Sequence, residues 1–203
     1  MPSPALHPTL RRPLHRPLVA VAAGSALMAV ASALGLLLDD RLLLGAPMWA
    51  KPFKFAVSFV AYCLSLAWML SLLPLPGRTG RRVASRAGTV VAVSCAVEMV
   101  LVAGQAARGR RSHFNYATPF DAAVYTVMGA TVAVLWFGTL AIAVLLFRAR
   151  LEDRATAWTI RLGTVLALVG AAFGVAMSQP ARSLIHNCSP PRRRELSARA
   201  SSG

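Results

Sequence analysis

Histidine, lysine and acidic residues are all scarce in this chain, and each scarcity removes a class of chemistry. Of 203 residues, seven are acidic, four are histidine and two are lysine. None of the histidines (His7, His15, His113, His186) falls inside a long apolar run. A membrane-embedded b-type haem takes its axial ligands from within the bundle, so these residues offer it none. The three cysteines, Cys63, Cys95 and Cys188, make no C-x-x-C pair, which removes the zinc and dithiol readings. Cys63 and Cys95 read as small packing residues. Metal-ligand clusters and nucleophile–histidine–acid sets are missing as local patterns, so no catalytic residue, metal or cofactor is expected.

What is present is apolar length. Five runs, 18–38, 55–75, 88–107, 122–147 and 162–177, approach or reach the roughly 20 residues that a helix needs to cross a bilayer core about 30 Å thick. They predict an all-α polytopic transmembrane bundle over 18–178, with a basic segment at 1–17 and no room for a separate soluble domain. The first run has a basic flank and an Ala31-Ser32-Ala33 triplet, as a signal peptide would. It continues through Leu38, past that triplet and beyond the usual length of a signal core, so it reads as a retained span.

The net charge of +15 comes from twenty Arg and two Lys, a ratio that fits a GC-rich bacterial coding bias. The basic residues lie in short clusters between spans rather than on one soluble face, so lipid headgroups explain them better than nucleic acid does. Eleven flank the runs on the N-terminal side (Arg11, Arg12, Arg16; Arg78, Arg81, Arg82, Arg86; Arg148, Arg150, Arg154, Arg161). Six lie on the other, in the loops 39–54 and 108–121. The positive-inside rule then predicts a cytoplasmic N-terminus in the bacterial inner membrane, with those two loops outside. Five further Arg beyond residue 180 level the count, but charges remote from a span weigh less. Residues 179–203, rich in Arg, Ser and Pro, read either as a disordered tail or as an out-of-frame GC-rich stretch.

Helices in lipid meet through small residues. Ser25, Ala29 and Ala33 on the first run, Gly129 and Ala133 on the fourth, and Gly170 and Gly174 on the fifth form such seams. The last pair is a G-x-x-x-G, which admits a weak homo-oligomer as well as packing within the chain.

One charge, Glu98, stands inside the five runs. Ser94 and Gln105, at i−4 and i+7, share its helix face, so the polar stripe is expected to turn inward. Tyr62, Ser65, Tyr125 and Thr126 on neighbouring runs are the expected partners. Such a carboxyl either carries a proton or cation, or serves as a hydrogen-bond anchor between helices. Trp49, Lys51, Pro52 and Lys54 read as an interface anchor and helix start; the two lysines, unique in the chain, also suit an anionic ligand. The loop 108–121 brings Arg108, His113 and Asn115 to the same predicted side, where a basic, aromatic-lined mouth is expected. Asp121 fits an N-cap for the fourth run.

Two blocks, Met48-Trp49-x-Lys51-Pro52-x-Lys54-Phe55-x-x-Ser58 and Glu98-Met99 through Gln105, Arg108-Gly109 and Ser112-His113-Phe114-Asn115, carry a resemblance. Together they resemble a family of uncharacterised bacterial polytopic membrane proteins, over about 18–178. The resemblance implies that Lys51, Lys54, Glu98, Gln105, Arg108, His113 and Asn115 belong to the family's pattern, and gives none of them a role. It also implies further spans, some with His, where this chain turns into its Arg-rich tail, as a truncated or frame-shifted copy would. The resulting expectation is a permeation or sensing module with an inner site at Glu98, Ser94 and Gln105. Its outer site is Lys51, Lys54, Arg108, His113 and Asn115. The alternatives are a membrane enzyme or electron-transfer subunit, and a structural bundle partner.

Overall fold

The computed structural model describes residues 13–43, 45–74, 77–151 and 153–177. Five helices dominate it: α1 (Arg16–Leu38), α2 (Ala50–Leu72), α3 (Gly77–Ala107), α4 (Pro119–Arg148) and α5 (Arg154–Met177). Each is long and apolar enough to cross a membrane, so the fold is an all-α bundle of the polytopic membrane class. Between α1 and α2 a minimal antiparallel hairpin pairs β1 (Leu42–Leu43) with β2 (Ala46–Pro47). The chain divides into two compact units, 1–168 and 169–203. The first holds α1 to α4 and the larger part of α5, and the described residues of the second, 169–177, continue α5. The expectation for 179–203 lies outside the described residues.

The helices begin earlier than the apolar runs. Hydropathy marks where lipid starts, whereas a helix starts where its first N–H groups are released. Thus α3 begins at Gly77, eleven residues ahead of the run at 88, and Arg78, Arg81, Arg82 and Arg86 are helical rather than looped. Arg and Ala are good helix formers, and the buried Ala84, Ala87, Gly88 and Val91 keep helical spacing beneath exposed arginines. Likewise α2 begins at Ala50, placing Lys51 and Lys54 in its first turns instead of in a loop. Pro52 is its third residue, where a missing N–H still costs no intrahelical bond.

Within the first unit α1 packs on α2, α3 on α4, and both α1 and α2 meet α3. The aliphatic core gathers Leu18 and Ala22, Leu66 and Leu70, Ala87 and Val91, with Ile142, Leu146 and Ile160. It sits towards the end that carries the start of α1 and the arginines of α3. His15 is part of that end: its Nε2 lies 3.1 Å from the Ser85 carbonyl oxygen. The opposite end buries polar groups instead, Glu98, Gln105, Ser112, Asn115 and Asp121. The buried carboxyls and amides of the described residues thus gather at this end, while the other buries hydroxyls and His15 Nδ1 among its aliphatic side chains.

The seams lie partly elsewhere than the small-residue spacing suggests. On α1 the buried small residues are Ala22, Ser25 and Ser32, while Ala29 and Ala33 are half-buried. On α4, Gly129 and Ala133 are exposed, and a Cβ built on Gly129 meets nothing within 4 Å. Gly138 is the close-contact glycine: a Cβ there would stand 2.8 Å from Val91 Cγ2. The α3–α4 crossing thus uses Gly138, two and a half turns later and on the opposite face of α4.

Two clips finish the ends. Asp39 accepts bonds from Trp49 Nε1 at 2.8 Å and from Arg41 Nη2 at 2.7 Å, and these donors hold its carboxyl far below the usual carboxylate range. Arg161 on α5 reaches the carbonyl oxygens of Phe147 and Ala149, capping the last turn of α4.

Candidate functional site

Ser94, Glu98 and Gln105 all face inward, each at most 4% exposed. They do not form one cluster, because α3 presents them to three different surroundings. Ser94 borders an open, mostly apolar groove with Ser85, Thr89, Val93 and Val134. Glu98 meets α4, and Gln105 meets the start of α4 further along.

At Glu98, Thr131 Oγ1 donates to Oε1 at 2.7 Å, while Oε2 is buried without a partner among the described residues. None of the expected partners fills this place. Tyr62 bonds the Thr139 hydroxyl, Thr126 turns back to the Ala122 carbonyl, Ser65 is exposed, and Tyr125 joins an aromatic cluster. Thr131 sits 33 residues from Glu98, and only the rotation of α4 about its axis brings it there. Its hydroxyl also lies 3.1 Å from the Val127 carbonyl oxygen and 2.9 Å from that of Met128. A hydroxyl has one proton and two lone pairs, so these three acceptors are alternatives. When Glu98 is ionised, Thr131 donates to it. When Glu98 holds a proton, Thr131 turns its own to the α4 backbone and leaves its oxygen free to accept. Both states of the carboxyl are thereby matched to the same neighbour.

Gln105 belongs to a second network that joins the end of α3 to the start of α4. Its Nε2 donates to Asp121 Oδ1 at 3.1 Å, and Arg108 Nη1 donates to the same oxygen at 3.0 Å and to Gln105 Oε1 at 2.8 Å. Asp121 is fully buried. It is not the N-cap of α4: Thr118 is, accepting from the Asp121 N–H and donating to Oδ2 at 2.9 Å. Asp121 thus answers the cap through the Thr118 hydroxyl, where a full capping box would use the Thr118 N–H. The Arg108 guanidinium also lies over the Phe120 ring, 4.6 Å from its centroid. Arg108 is thus held in a clamp and does not line the mouth. The T-x-x-D spacing of Thr118 and Asp121 was the signal that could have shown this.

The turn before the mouth is built by Gly109. With φ of +64° it takes the left-handed position after α3, and Gly109 N–H reaches the Ala106 carbonyl while Arg110 N–H reaches that of Gln105. Phe114 is the one non-glycine among the described residues with positive φ, at +56°, a conformation that costs an ordinary residue about 1–2 kcal/mol. Asn115 shapes the same loop, donating to the Arg111 carbonyl and accepting from the Ala117 N–H. Like Arg108, it supports the mouth without lining it.

Lys51, Lys54 and His113 do come together. They border a cavity of about 560 Å³ with Arg110, Arg111 and Ser112, walled by Met48, Phe55, Val102 and Ala106. Lys51 Nζ lies 3.0 Å from His113 Nδ1. A lysine ammonium only donates, so Nδ1 accepts and the ring proton belongs on Nε2. Burial and the Lys51 charge push the imidazole down to about 4, so His113 is neutral near pH 7. Its ring packs edge-on against Phe55 and is tilted against Tyr125.

Comparison with protein-family models, curated proteins and solved structures returns no match. Chemistry is therefore read from the residues. Val102 lies one helical turn beyond Glu98 on nearly the same face of α3, so the cavity opens along the stripe that carries the carboxyl. No group of three or more His, Cys, Asp or Glu able to hold a metal occurs among the described residues.

Proposed function

We propose that this chain is a small permeation or sensing module in which Glu98 takes up and releases a proton from the side of the Lys51–His113 mouth. The observation that carries the reading is the environment of Glu98: a buried carboxyl with one free oxygen, beside a hydroxyl that has alternative acceptors. A merely structural tie needs one bond in one protonation state. Ionisable groups in such positions line ion and substrate routes in membrane proteins. The charge distribution supports a bacterial inner-membrane location with a cytoplasmic N-terminus and the mouth outside. Family membership in the resembling group fits the same architecture.

A second reading has its own support. The Thr131–Glu98 bond bridges α3 and α4, as an anchor between helices would. Infrared difference spectroscopy of the protein in lipid, scanned over pH, separates the two. A carboxyl C=O band that titrates and disappears in Glu98→Gln, with unchanged thermal stability, supports the proton reading. A band that never titrates, or a Gln variant that unfolds, overturns it in favour of the anchor.

A further inference from the structure

We infer that the mouth cavity is a binding site for an amphipathic anion, a carboxylate or phosphate head carried on an apolar chain. The inference deepens the reading of the mouth and rests on it, but it does not depend on whether Glu98 titrates.

The charge balance of the cavity is the first support. Among the described residues two ion pairs form, Arg41 with Asp39 and Arg108 with Asp121. Lys51, Lys54, Arg110 and Arg111 border the cavity and have no carboxylate within ion-pair distance among the described residues. None of the described acidic residues lines it. Four cations with no ion-pair carboxylate among the described residues border one concavity and repel one another, and an anion relieves that repulsion.

The second support is that the polar lining is built almost wholly of donors. Lys51 has three N–H bonds and uses one on His113. The guanidiniums of Arg110 and Arg111 have no side-chain partner among the described residues. His113 carries its proton on Nε2. The first turn of α2 adds to the set: its N-cap, Trp49, makes no side-chain capping bond, so the Ala50 and Lys51 N–H groups remain uncapped by a side chain. A helix N-terminus favours negative charge. A ligand oxygen here meets donors, which selects an ionised oxyanion over an alcohol or amide.

The third support is the wall. Met48, Phe55, Val102, Ala106 and Phe114 make most of the remaining lining apolar. A cavity of about 560 Å³ falls within the roughly 300–1,000 Å³ of small-molecule sites. It lies at the ends of α2 and α3, where the spans leave the apolar layer. A chain with one charged end is thus held with its head at the rim and its body against Phe55 and Val102.

Such an anion comes either from the bilayer, as an anionic lipid, or from solution, as a free amphiphile, and one experiment distinguishes the sources. The full chain in nanodiscs of neutral phosphatidylcholine is titrated with radiolabelled decanoate, with decyl phosphate, decanol and inorganic phosphate as comparators. Saturable binding of decanoate, displaced by decyl phosphate and by neither decanol nor inorganic phosphate, is expected. Arg111→Gln, an exposed position that leaves the fold intact, and Lys51→Gln should each weaken it by about tenfold or more, the effect of a lost charge-assisted bond. Glu98→Gln should not weaken it, since the change removes a negative charge, which keeps this site separable from the proton reading. Phosphatidylglycerol in the nanodisc then decides the source: loss of decanoate binding points to lipid, retained binding to a soluble amphiphile. Equal binding of decanol, equal displacement by inorganic phosphate, or full affinity in both Arg111→Gln and Lys51→Gln overturns the inference.

Discussion

Lys51 Nζ stands 3.0 Å from His113 Nδ1, joining the first turn of α2 to the loop after α3 across 62 residues of sequence. A cation donating to a neutral imidazole fixes the ring's tautomer and keeps a second proton off it. The mouth therefore carries its charge on Lys and Arg and uses His113 as a spacer and donor.

His113 should titrate with a midpoint of about 4 in the folded protein, well below the usual His value near 6.5. Between those values the unfolded chain binds a proton that the folded one does not, so stability rises with pH in that window. It is complete above about 6.5 and declines as pH falls towards 4. Imidazole proton shifts in NMR, followed against pH, report the midpoint. Lys51→Met removes the neighbouring cation and should move it upward; a midpoint near 6.5 in the unaltered protein would refute the arrangement.

Thr131 is predicted to matter for its hydroxyl and not for its shape. Thr131→Ser keeps a rotatable O–H beside Glu98 and should preserve the titrating carboxyl band, whereas the isosteric Thr131→Val should alter or abolish it. Equal spectra for the two variants would remove Thr131 from the site.

The clamp at the α3–α4 junction predicts an asymmetry. Arg108→Leu leaves the buried Asp121 carboxylate without its cation, and should lower the thermal midpoint more than the double variant Arg108→Leu with Asp121→Leu. Removing one member of a buried pair strands a charge, while removing both does not. Melting curves in detergent of the two variants and the parent decide it; a double variant that is the least stable of the three would show the pair to be net stabilising.

Gly138 and Gly129 should respond oppositely to alanine. At Gly129 the added methyl meets open space, and the helix gains about 0.5–1 kcal/mol from the stiffer backbone. At Gly138 it meets Val91 Cγ2 at 2.8 Å, and a β-branched side chain on a helix has little freedom to turn away. Overpacking of this kind costs about 1–3 kcal/mol. Val91→Ala should recover most of the loss, and a double-mutant cycle measures the coupling.

The membrane class was legible because apolar length alone decides it: nothing else explains five such runs. The apposition of Lys51 and His113 was legible too, since the first and third loops of a serpentine chain share a side. The start of α3 was not read from hydropathy, although the spacing of Ala84, Ala87 and Val91 beneath the arginines encodes it. Thr131 was beyond reach for a different reason. Every residue on a uniformly apolar helix is an equal candidate to face inward, and the rotation of α4 goes with contacts elsewhere along it, of Asp121 near its start and of Gly138 against Val91. Asp121 itself lay within reach, in its three-residue spacing from Thr118.

The extra turns of α3 have a consequence for depth. At about 1.5 Å per residue, its 31 residues extend roughly 46 Å. Even tilted by about 40°, the upper end of what spans adopt, the helix rises some 35 Å, more than the hydrocarbon is thick. The turns bearing Arg78 to Arg86, the charged end of α3, are then the ones expected to stand in the headgroup layer. Sinking the molecule by one turn would drag an arginine into the acyl chains, at about 2.5–3.5 kcal/mol each near the centre. The chain is thus vertically registered by its own arginines. With Arg86 at the acyl boundary, Glu98 sits roughly 14–18 Å in for tilts up to about 40°, close to the midplane.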